Sequence, residues 1–120
     1  MDIIDLEKYL LAYQPVRRWF RLQQIRINWW KFELKPFPTI RENDDDDERV
    51  FLDMLAAGCI STFIKQGGVL NADKVAMLDS FYHDITSRLA NLEGEWLEHF
   101  TLLQLLCKSV LDEVGTRSTS

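Results

Sequence analysis

The chain has 120 residues, 47% of them hydrophobic and 12% aromatic, with 5 glycines, 3 prolines and a formal net charge of −5. That length suits one compact domain that buries roughly two thirds of the surface exposed when unfolded, and the scarcity of turn formers argues against a many-stranded β fold. Net negative charge opposes binding of the molecule as a whole to nucleic acid or anionic lipid and favours a cationic partner.

Ile3, Leu6, Leu10 and Tyr13 recur at three- and four-residue spacing behind Asp2, Asp5 and Glu7, acids that suit the first turns of a helix. A short helix is predicted there. Pro15 ends it and opens a second, because proline suits a first helical turn and disfavours helix in the residue before it. This second helix runs to about Leu34, with Val16, Phe20, Ile27, Trp30 and Leu34 as its apolar stripe and Trp19, Leu22 and Trp29 widening it. Residues 28–34 also alternate well enough to allow a short strand instead. Pro36 and Pro38 then force a connection, expected to be pinned by Phe37 and Ile40.

A third helix is predicted from about Asp46 to Gln66. Its apolar residues surround much of its circumference, which places it centrally, and Gly58 would admit a close neighbour. Gly67 and Gly68 stop it, one of them in the left-handed conformation. Asn71 caps a fourth helix whose stripe is Val75, Leu78, Tyr82, Ile85, Leu89 and Leu92. After a break near Gly94, a fifth helix carries Trp96, Phe100, Leu103, Cys107, Val110 and Val114 on one row and is stopped by Gly115. The expectation is an all-α, compact bundle of about five helices: one domain over 1–115 and a frayed tail over 116–120.

Charge is sharply polarised in one place. Between residues 15 and 41, Arg17, Arg18, Arg21, Arg26, Lys31, Lys35 and Arg41 face one acid, Glu33; directly after come Glu42, Asp44, Asp45, Asp46, Asp47 and Glu48. Six carboxylates in seven residues repel one another and resist desolvation, so this run is expected in water.

Catalytic and cofactor chemistry finds no motif. Asp79 precedes His83, and Glu95 precedes His99, by four residues, which puts each pair on one helix face. Yet the acid-and-histidine spacing of a di-metal bundle is absent. Cys59 and Cys107 lie mid-helix among apolar residues, as core thiols do. Gly67-Gly68 lacks the lysine and hydroxyl of a phosphate loop, and consecutive aspartates lack the alternate spacing and bend glycine of a calcium loop. No catalytic residue, metal ligand or cofactor is therefore expected. No run approaches the roughly 20 apolar residues that span a bilayer, and the N-terminus lacks the basic and cleavage regions of a secretory signal. A cytoplasmic protein without membrane partners is expected.

In size, acidity, helix content and lack of catalytic motifs the chain resembles the small acidic immunity proteins with which bacteria neutralise a cognate toxin, including those of contact-dependent inhibition. The resemblance implies a non-enzymatic protein that binds a cationic toxin, often a basic nuclease. Glu42, Asp44, Asp45, Asp46, Asp47 and Glu48 would mimic phosphates and steer encounter, while Trp19 and Trp29 would supply hot spots. The alternative is a nucleic-acid-associated regulator in which Arg17, Arg18, Arg21 and Lys31 grip phosphates and tryptophans stack on bases.

Overall fold

The computed structural model of the chain describes residues 14–41 and 43–118, with side chains over 16–41 and 43–115. The helix predicted over 3–13, the residue Glu42 and the side chains of the predicted tail lie outside the described residues. Within them are four helices, α1 (Gln14–Leu34), α2 (Asp44–Lys65), α3 (Ala72–Arg88) and α4 (Gly94–Ser118), with a 3-10 turn at Leu89–Asn91. No strand occurs among the described residues, and 28–34 is helical. The fold is all-α, with four described helices where about five were expected.

α4 is the centre. Its row Trp96, Phe100, Leu103, Cys107, Val110 and Val114 is buried throughout, and it packs against each of the other three helices. α2 and α3 also pack on one another, closing a three-helix core around Phe63, Ile60, Leu78 and Ile85. The central position predicted for α2 is thus held by α4. α2 buries Leu52, Ala56, Cys59, Ile60 and Phe63 but leaves Phe51 and Met54 exposed, because a helix near the edge of a small domain has neighbours on one side only. Nor does Gly58 receive a close neighbour, since a Cβ built there meets nothing within 4 Å. In α3 the predicted stripe is the inner one, with Leu78 and Ile85 buried and Val75, Tyr82 and Leu89 packed around them.

Helix ends follow local chemistry. Asn43 caps α2 by accepting from the Asp46 backbone N–H at 2.7 Å, so the helix begins at Asp44, two residues ahead of the predicted start at Asp46. Gly67 and Gly68 both take positive φ, 70° and 93°, and donate to the carbonyls of Ile64 and Phe63, which closes the last turn of α2. α4 runs past Gly115 to Ser118 rather than stopping at the glycine. Glycine in a helix costs only about 1 kcal/mol relative to alanine and ends it only when the next residues favour another conformation.

α1 packs chiefly against α4 and also touches Gly68, just past the end of α2. Its inner side carries Leu22, Ile25, Trp29 and Phe32, with Arg18 and Arg21 on the same side. At 100° per residue this is opposite the predicted stripe Val16, Phe20, Ile27, Trp30 and Leu34. The expected inner face is the outer one. What decides it is a polar anchor: Arg21 donates to both Glu113 oxygens, at 2.7 and 3.3 Å, and Arg18 sits 3.4 Å from the same carboxylate while donating to the Gly68 carbonyl at 3.0 Å. Glu113 is buried on α4, and an unpaired carboxylate there would be far costlier than a solvated edge of apolar residues.

Candidate interaction surface

The outer side of α1 is the largest run of exposed apolar side chains on one described element. Trp19, Phe20, Ile27, Trp30 and Leu34 are 56, 50, 45, 61 and 64% exposed, and Trp19 and Phe20 stack edge to face with centroids 5.1 Å apart. The opposite side of the helix is packed, and soluble monomers rarely leave apolar patches of this kind uncovered. Arg17, Arg26 and Lys31 are exposed on the same helix and form no ion pair among the described residues. Trp19, expected as a contact residue, is exposed on this side. Trp29 is not: it is half-buried, stacked on Phe32 at 5.6 Å and packed against the core, so its ring supports α1 on α4.

The acidic run divides. Asp44, Asp45 and Asp47 are exposed in the first turn of α2 and make no ion pair among the described residues. Glu48 is exposed and reaches Arg88 at 3.6 Å. Asp46 departs from the expectation of a wholly solvated run, being 3% exposed. Its carboxylate accepts from the Arg41 backbone N–H at 2.6 Å and from Arg49 at 2.9 Å, so burial leaves no oxygen unbonded. The cluster is four surface acids around one structural acid. The basic and acidic blocks do not pair through their side chains: among the described residues, Arg18 and Arg21 pair with Glu113, Lys35 pairs with Glu98 at 2.7 Å, and the bond of Arg41 to Asp46 comes from its backbone.

Between these two surfaces runs the connection 35–41. Phe37 meets Trp96 and His99 edge-on at 5.5 and 5.0 Å, Pro38 is buried, and the Thr39 N–H donates to Glu95 at 2.7 Å. Ile40 stays exposed, so Pro38 does the pinning expected of it. Beneath lies a pair that sequence reading missed. His99 Nε2 is 2.6 Å from Asp53 Oδ1, both side chains are nearly sealed from water, and the imidazole is surrounded by Phe32, Phe37, Trp96 and Phe100. The partner is Asp53 on another helix rather than Glu95 four residues away, which is exposed and accepts from the Thr39 N–H. A polar residue on the inner side of each helix was the only available signal. His83 does meet Asp79, at 3.5 Å on the surface.

No reactive constellation joins the Asp53–His99 pair. Both cysteines are free and buried; burial pushes the Cys59 thiol up and carries the Cys107 thiol to about 12, far from the range of a nucleophilic thiolate. No group of three histidine, cysteine or acidic side chains able to hold a metal occurs among the described residues, and no described helix is long and apolar enough to cross a membrane. No family model, curated protein or solved structure matches the chain.

Proposed function

We propose that this is a non-catalytic protein-binding protein whose partner docks on the outer side of α1. The exposed stripe Phe20, Ile27, Trp30 and Leu34, beside Trp19 and opposite a packed face, carries this reading. Large aromatics on a rigid helix lose little side-chain entropy on binding and supply most of an interface's free energy. A small immunity-type protein that neutralises a bacterial toxin in the cytoplasm is the class of function such a surface would serve. The test is affinity capture with the parent and with a Trp19→Ala/Trp30→Ala variant. The reading requires a partner that the parent retains and the variant loses, with unfolding temperature unchanged. A partner held equally by both proteins would sink it.

A second reading has its own observation. Asp44, Asp45 and Asp47 project from one helical turn without ion-pair partners among the described residues, a field that would speed encounter with a basic toxin. Replacing the three by Asn would slow association and flatten its salt dependence, and unchanged rates at low salt would remove this reading. The nucleic-acid reading is weaker than the sequence suggests, because Arg18 and Arg21 are committed to Glu113.

A further inference from the structure

We infer that the outer side of α1 is a coiled-coil seam for one acidic amphipathic helix of a partner protein, a proposal that rests on reading that side as the docking face. Val16, Phe20, Gln23, Ile27, Trp30 and Leu34 alternate at four and three residues, the spacing that presents a continuous seam to a second helix. Phe20, Ile27 and Leu34 recur every seventh residue, and the stripe runs about 27 Å along the axis at 1.5 Å per residue. Gln23 is the one polar position, of the kind that specifies register at some cost in stability. A helix meets such a seam with side chains in its holes, which neither a lipid surface nor a nucleic-acid groove does.

The flanks decide the partner's charge. On one side of the seam stand Arg17, Gln24 and Lys31; on the other stand Trp19, Arg26 and Glu33. None of Arg17, Arg26 and Lys31 has an ion-pair partner among the described residues, so each is available to an incoming carboxylate. A second copy of α1 is disfavoured in either orientation. Antiparallel pairing sets Arg17 opposite Lys31 and Arg26 opposite itself, while parallel pairing sets Arg26 against Lys31, and like charges at flanking positions select against a pairing. A helix bearing Glu or Asp at its flanks satisfies all three cations.

The probe is a synthetic peptide of about 18 residues, five helical turns, with leucines at the seam positions and glutamates at the flanks. Its control is the same leucine pattern with lysine flanks. Binding to the full chain is followed by anisotropy of the labelled peptide. The glutamate peptide should bind at least about tenfold more tightly than the lysine peptide. Arg26→Glu/Lys31→Glu should reverse that preference, and Trp30→Ala should weaken both peptides without altering the circular dichroism of the protein. Equal affinity for both peptides, lost with Trp30→Ala, would overturn the acidic partner while leaving the docking face intact. Failure of both peptides to bind would overturn the seam. So would a dimer dispersed by Trp30→Ala, retention on heparin in place of peptide binding, or peptide binding that appears only after Ile3, Leu6 and Leu10 are changed to Asp.

Discussion

Asp53 and His99 lie 46 residues apart in sequence and share a 2.6 Å hydrogen bond between α2 and α4, inside a wall of four aromatic rings. The carboxylate oxygen accepts and the imidazole Nε2–H donates in this bond. Replacing Asp53 by Ala strands that donor in an apolar site, at a cost of about 1 to 3 kcal/mol, while Asp53→Asn keeps an acceptor and costs less. Urea unfolding of the two variants checks the order, and equal stability of parent and Asp53→Ala would refute it. Imidazole nitrogen shifts in the parent should report a protonated Nε2.

Glu113 is the anchor that sets the roll of α1. Because it is buried and bonded to Arg21 and placed beside Arg18, Glu113→Ala should cost about 1 to 3 kcal/mol, discounted from a fully buried pair by the partial exposure of the arginines. The more telling readout is position. Freed from that carboxylate, α1 loses its reason to keep Phe20, Ile27 and Trp30 outward, and amide exchange over 16–34 should rise while that of α3 is unchanged. Uniform protection in both helices would show that apolar packing alone fixes α1.

The acidic turn should separate into two classes under substitution. Asp44, Asp45 and Asp47 act on α2 only through its dipole, so each change to Asn should cost no more than about 0.3 to 1 kcal/mol. Asp46 holds the Arg41 amide and Arg49 as well, and Asp46→Asn should cost about 1 to 3 kcal/mol. Thermal unfolding of the four single variants measures this, and four equal shifts would remove the distinction.

Cys107 predicts a pH response. Burial raises its thiol from an ordinary value of 9.0 to about 12, so the folded protein holds a proton that the unfolded chain gives up earlier. The corresponding stability is fully present below about 9 and declines as pH rises towards 12. At pH 8 a disulfide reagent should modify neither Cys59 nor Cys107 without denaturant. Above pH 9, Cys107→Ala should lose less stability with each step in pH than the parent does. Parallel pH profiles would contradict the assignment.

How much of this was legible from sequence follows from where each signal lies. The inner rows of α3 and α4 were readable because Leu78, Ile85, Phe100, Leu103, Cys107 and Val110 repeat at helical spacing with polar residues opposite, and one face of such a helix has only one place to go. The stop at Gly67-Gly68 and the cap at Asn71 were readable because they are local chemistry. α1 was not, for it is apolar on two opposite sides, and periodicity cannot rank two stripes. A buried Glu113 does, by drawing Arg21 and Arg18 inward from 92 and 95 positions away in the chain. The burial of Asp46 and the bond between Asp53 and His99 are hidden for the same reason. A carboxylate goes inside only where other segments bring it donors, and those donors become neighbours only once the chain has folded.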